Sequence, residues 1–324
     1  MSHLNRRAAV AGKVEAVAGT PETISFATDA IRVIGAGEPQ IAPMAANSRA
    51  DHQTGSVQER KDAEPAGFVM RVPLVWAPIG AGAVYSATVL PEDDVLRRVA
   101  GRSAAIVTTA SAEKVTYSPV DDPTTTGTFK VRISGKEYTM AGAVMESMVT
   151  RCTPGGFPVC EGTLVGVFVS VSETALGTVT WDDVLQPLWK KQASNPSLSI
   201  GVYEPDAQSI AFDEGLAAEA NVSNRAEDGL LFFKITRIRP VVTISGRIPA
   251  LSTWAPLTAW QAKTSFALDV AFGLHRGQYF RMKFDADAAC YQDVQDVTEG
   301  AFRNYSVAIH CAPHASAPAN WIFD

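Results

Sequence analysis

GKEYTMAGAVMESMVTRCTPGGFPVCEGTLVGVFVS, residues Gly135 to Ser170, reads as two long strands joined by a Pro/Gly turn. A similar stretch, GQYFRMKFDADAACYQDVQDVTEGAFRNYSVAIHC, runs from Gly277 to Cys311. Gly135, Tyr138 and Met140 match Gly277, Phe280 and Met282. After a shortening of four residues, Cys152, Glu161, Gly162 and Val169 match Cys290, Glu299, Gly300 and Val307.

The likeness extends outward from this hairpin. Ile200-Gly201 and Glu204-Pro205 echo Ile34-Gly35 and Glu38-Pro39. The order strand, polar loop, strand, helix, paired strands therefore occurs twice, with corresponding positions offset by 166 at the start and 138 at the end. Internal self-similarity of this kind is the sequence signature of a duplicated unit. Chance resemblance between two β-rich segments is the alternative; collinear matches that include turn residues favour duplication.

The 324 residues suffice for two ordinary domains, each with its own core. With 46% hydrophobic and 19% charged residues, the composition is that of a globular protein. A net charge of −6 argues against a nucleic-acid-coating protein, which carries a basic excess. No apolar run approaches the roughly 20 residues of a membrane helix. Lys13 and Glu15 interrupt the apolar run that follows Arg6-Arg7, so no signal peptide is expected and assembly in the cytosol is. Cys152, Cys160, Cys290 and Cys311 lack the C-x2-C spacing of zinc sites and read as small buried apolar residues.

Residues 1–30, rich in Ala and Thr, read as an arm. A first unit spans 31–172 and contains a long polar loop, 44–67, without apolar periodicity. Loops of that length inside a compact domain are usually functional or disordered. LPEDDVLRRVAG, Leu90 to Gly101, predicts a helix: Pro91 suits the first turn, Glu92, Asp93 and Asp94 complement the positive dipole end, and Gly101 stops it. The acid cluster as a metal site is the other reading. Residues 173–197, interrupted by Pro187 and Pro196, form the connection to a second unit at 198–324. STWAPLTAWQAK predicts that unit's helix, with Trp254, Leu257 and Trp260 on its apolar side.

No catalytic motif is present: GxSxG, HExxH, GxxxxGK[ST] and the kinase set are all missing. The glycines at Gly35–Gly37 and Ile79–Val84 lack a following helix N-terminus and read as turns. His310 and His314 flank an end-of-strand turn at Pro313, with no second ligand pair nearby in sequence. No catalytic, cofactor or metal residue is assigned. In the last hairpin, Phe280, Met282, Phe284, Ala286 and Ala288 alternate with Arg281, Lys283, Asp285 and Asp287. Such alternation fits the solvent face of a monomer, or a sheet curved into a large barrel around a water-filled lumen.

Taken together, AGKVEAVAGT, PEDDVLRRVAG before VTYSPV, CEGTLVGVFVS, PSLSIGVYEP and KITRIRPVVTISGRIP resemble the major tail tube proteins of long-tailed, non-contractile bacteriophages, in the version with two fused tube units. The resemblance implies a mainly β (α+β) fold of two tandem β-sandwich units, each with a flanking helix, whose antiparallel strands form part of a ring barrel. It implies trimeric, pseudo-sixfold rings stacked into a tube, with roughly 24 strands around an aqueous channel. The implied stacking element is the polar loop, through Asn47, Arg49, Asp51, His52, Gln58, Glu59, Arg60 and Lys61. Candidate lumen residues are Arg281, Lys283, Asp285 and Asp287, whose mixed signs depart from a uniformly negative bore. The implied partners are further copies of the chain, other tail proteins (tape measure, terminator, distal tail) and DNA in transit without specific binding. The implied place is the virion tail, after assembly in host cytoplasm; no cofactor and no membrane are implied. A tube terminator or distal ring protein of the same fold, or a monomeric β-rich binding protein or enzyme, is the alternative.

Overall fold

The computed structural model describes residues 8–44, 52–53, 56–57, 67–81, 83–174, 187–190, 197–223, 229–247, 254–273, 281–299, 302–311 and 319–324. The first half holds β1 (Ala8–Val14), β2 (Ala30–Ile31), β3 (Gly35–Ala36) and β4 (Gln40–Pro43). A two-residue pair follows, β5 (His52–Gln53) and β6 (Ser56–Val57), then β7 (Phe68–Trp76) and helix α1 (Asp94–Val99). The hairpin β8 (Arg102–Val107) and β9 (Lys114–Pro119) leads to β10 (Gly127–Ile133), β11 (Lys136–Cys152) and β12 (Val159–Glu173). The second half holds β13 (Leu198–Ile200), β14 (Ala207–Asp213) and the hairpin β15 (Ala217–Val222) and β16 (Leu230–Arg237). It continues with β17 (Val241–Arg247), α2 (Pro256–Gln261) and β18 (Phe266–Phe272). Last come β19 (Met282–Glu299), β20 (Phe302–Cys311) and β21 (Ala319–Phe323).

The molecule is mainly β, and every ladder between these strands is antiparallel. In the first half the pairing order is β1, β10, β11, β12, β7, then β3 and β4 along one side of β7. In the second it is β13, β18, β19, β20, β17, β14. One short helix falls between β7 and β10, and another between β17 and β18. The ends of β11 and β14 also pair with each other, at Val149↔Asp213 through Cys152↔Ile210, so the two halves share one sheet. Among the described residues that sheet stays open and closes into no barrel.

The second half is a two-layer sandwich. Phe212 of β14 lies 5.0 Å from Phe284 of β19, 4.9 Å from Trp321 of β21 and 6.0 Å from Phe272 of β18, ring centre to ring centre. One layer is therefore β14, β17 and β20; the facing layer is β18, β21 and the first part of β19. The alternation at 281–286 follows from this: Met282, Phe284 and Ala286 are buried, while Arg281, Lys283 and Asp285 point to the other face at intermediate exposure.

Two sequence expectations need correction. Cys152 ends β11, just before the turn, whereas Cys290 lies in the middle of β19. Glu161 follows its turn and Glu299 precedes its own, so the later hairpin matches are not structural equivalents. Next to the turn, Thr150 stands opposite Cys160 in the first hairpin and Thr298 opposite Arg303 in the second. The sequence match failed because β-bulges at 139–147 and 291–293 insert residues at different points of the two long strands. Ile34 and Ile200 also occupy different ladders: the N–H of Ile34 donates to Val75 of β7, whereas Ile200 pairs with Leu268 of β18.

Of the acids before α1, Asp94 stands in the first turn, where it complements the positive end of the helix, and none makes a side-chain helix cap. Asp93 pairs with Arg97 at 2.8 Å and Asp94 with Arg98 at 3.0 Å, each one turn along the same helix. Glu92 reaches Arg32 at 3.2 Å. Both helices are a single short piece of six residues, shorter than their sequence patterns suggest.

Candidate functional site: open sheet edges and two polar faces

Among the described residues, no group of three or more His, Cys, Asp or Glu side chains is placed to hold a metal. Several buried polar residues are held by ion pairs, rings and hydrogen bonds within the fold. Arg97 is fully buried beside Asp93, with its guanidinium 4.8 Å from the centre of the Phe323 ring and 5.2 Å from that of Trp321. Arg102 bonds Glu214 and the carbonyls of Tyr117 and Ala319, and Trp321 donates to Glu214 at 2.7 Å. Tyr117 donates to Asp94 at 2.8 Å, and desolvation together with the nearby carboxylates pushes its hydroxyl far up. Burial likewise lifts the thiols of Cys152, Cys160 and Cys311 to about 12, so they stay protonated. All four cysteines are free; Cys290 alone is at intermediate exposure.

What the described residues present outward is sheet, with two partly polar faces and several strands paired on one side only, β4, β8 and the end of β19 among them. The first face carries the predicted charged set. Arg281 grips Asp324 through two hydrogen bonds of 2.6 and 2.5 Å. Lys283 sits between Asp269, at 2.5 Å, and Asp285, at 3.4 Å. Partial burial raises the carboxyl of Asp285, against the lowering pull of Lys283. Asp287 is exposed. Arg281, Lys283 and Asp285 thus share one face of the layer that contains β18 and β21.

The second face belongs to the other layer and was not anticipated from sequence. It runs through β7, β12, β11, β14, β17 and β20, across the join between the halves, and its end at Val69, Val144 and Val165 is covered by Leu230, Phe233 and Ile235 of β16. Its charges are mutually neutralised: Arg71 holds Glu146 at 2.9 Å and Arg151 approaches Glu161 at 3.6 Å. Beyond the join it turns to small hydroxyls, with Ser209 and Ser245 bonded at 2.6 Å. The period-2 parity of β7 and β17 was the signal available for it.

Of the predicted loop residues, His52 lies in β5 opposite Val57. Asn47, Arg49, Asp51, Gln58, Glu59, Arg60 and Lys61 lie outside the described residues. Among the described residues, β4, whose four residues are all exposed, pairs only with β7 and forms one edge of the sheet; the last part of β19 is another. From Cys290 to Glu299, β19 pairs only with β20 among the described residues.

No protein-family model matches this chain, and no curated protein does. No helix among the described residues is long and apolar enough to cross a membrane.

Proposed function

We propose that the chain is a structural subunit of a bacteriophage tail tube, assembling into rings that stack around a channel for DNA. The observation that carries this reading is the repeated pairing order of the two halves, joined edge to edge through β11 and β14. Two like units that continue one sheet leave an open edge at either end of the pair. Long open edges invite further pairing, and a repeated unit answers that by adding copies of itself.

In this reading the bore is lined by the face that crosses the β11–β14 join. Its paired arginines and glutamates and its small hydroxyls offer no fixed cationic groove to phosphate. The charged set at Arg281, Lys283 and Asp285 then belongs to the opposite layer and faces away from the channel.

Negative-stain microscopy of the concentrated protein tests the proposal. Stacked rings forming extended tubes are expected. Single rings that never extend would favour a tube terminator or distal ring protein, and a monomer at every concentration would sink the structural reading.

A further inference from the structure

The hairpin β15–β16 belongs to the second half but lies on the first. Among the described residues it is a two-stranded sheet of its own and joins the main sheet by no ladder. β15 has no buried residue, whereas β16 turns Leu230, Phe233 and Ile235 down onto Val69, Val144 and Val165 of β7, β11 and β12. A surface ion pair, Lys234 with Asp122 at 2.5 Å, adds little in water. The hairpin leaves β14 after Asp213 and returns to β17 at Val241, and those two residues are partners in the β14–β17 ladder. At its root Gly215 has φ +57° and stands against the carbonyl of Arg239, whose N–H donates to the carbonyl of Glu214 at 3.1 Å.

We propose that this hairpin is a strap: it lifts from the first half as one unit while the joined sheet stays folded, and in lifting it uncovers Val69, Val144 and Val165. Lifting breaks no rung of the main sheet, because the root is closed by the pairing of Asp213 with Val241. It gives up one small satellite cluster, whereas unfolding the sheet gives up the two large cores. Units with few buried contacts open at a lower free energy than the molecule as a whole. A two-stranded hairpin is marginal in water by itself, so the lifted strap loses its own ladder and its amides open together. The strap sets the character of one end of the face that crosses the join. Covered, that end is dry; uncovered, it presents three valines, Val144 and Val165 being cross-strand partners, beside the pair of Arg71 and Glu146. Exposed apolar patches are contact surfaces, and the closed strap keeps this one hidden in the single chain, whether or not rings form.

Hydrogen exchange on the intact chain tests the strap. Its cross-strand hydrogen-bonded amides, in 217–222 and 230–237, should exchange together and about tenfold or more faster than those of β11 and β17. A staple between Asp122→Cys and Lys234→Cys holds the strap down. It is made with a short bifunctional thiol reagent in a Cys290→Ser background, the other native thiols being buried. Compared with the same variant capped at both thiols, the stapled protein should exchange its strap amides about tenfold more slowly and its sheet amides at an unchanged rate. Phe233→Ala should speed strap exchange about a hundredfold and raise the binding of an apolar dye, with the near-UV circular dichroism retained. Parent and stapled protein carry the test by themselves if Phe233→Ala unfolds. Strap amides protected as strongly as those of the sheet in the parent, or a completed staple that leaves strap exchange unchanged, would overturn the proposal.

Discussion

Glu15 is 7% exposed and accepts four hydrogen bonds: from the N–H groups of Gly19 and Gly142, at 2.7 and 2.8 Å, and from the hydroxyls of Thr126 and Thr128, at 2.6 and 2.8 Å. It ties the segment after β1 to the bulge of β11. Gly142 has φ +57°, and a Cβ there would stand 2.6 Å from the Cβ of Phe232, so only glycine admits the approach of β16. All four donors point at carboxylate oxygens, and an amide in their place turns one acceptor into a donor facing a donor. Glu15→Gln should therefore cost about 1–3 kcal/mol in urea unfolding, with Thr126→Val less damaging because it removes one donor only. An unchanged midpoint for Glu15→Gln would refute the keystone role. None of this was visible in the sequence, where Glu15 served only to interrupt an apolar run; three of its four partners lie more than a hundred residues away.

At the scale of elements, local signals were the legible ones. TFKVRIS shows its alternation, and β10 buries Phe129, Val131 and Ile133 accordingly. The long hairpin at Gly135–Ser170 appears as β11 and β12 with the turn where Pro and Gly put it. What stayed illegible depended on bulges, which shift parity without leaving a composition mark, and on ladders between distant strands such as β9 with β21. The polar loop of each half takes a different fate. In the second, the hairpin β15–β16 sets Leu230, Phe233 and Ile235 on Val69, Val144 and Val165 of the first-half sheet. In the first, the N–H of Met44 donates to the carbonyl of Gly67 at 3.1 Å, which closes the base of the loop. Excising Ser48–Ala63 with a short Gly/Ser bridge leaves that base intact, and loop-closure cost grows only slowly with length. The variant should melt within a few degrees of the parent but form rings that fail to stack. Long tubes from the folded deletion variant would remove the loop from the stacking role.

At the scale of the whole molecule, the last strand is one of the elements that make one body of two halves. β21 pairs with β19 of the second half and with β9 of the first. Trp321 and Phe323 are 0% and 1% exposed, and both cover the guanidinium of Arg97, which belongs to the first half. Truncating a buried Trp or Phe to Ala costs about 3–5 kcal/mol each. Removing residues 319–324 therefore forfeits about 6–10 kcal/mol, against a whole-protein stability of about 5–15 kcal/mol. The Arg102 and Glu214 pair also loses the carbonyl of Ala319 and the indole N–H of Trp321, leaving a buried ion pair short of partners. A chain ending at Pro318 should lose its near-UV circular dichroism and its cooperative melt, and Trp321→Ala alone should lower the melting temperature by several degrees. The joined sheet further requires both halves to melt together: fluorescence of Trp76 in the first half and Trp254 in the second, each taken as the difference between the parent and the variant with that tryptophan as Phe, should give coincident urea transitions. A truncated chain that melts like its parent, or two separated transitions in the intact one, would show that the halves stand independently and that β21 is an accessory strand.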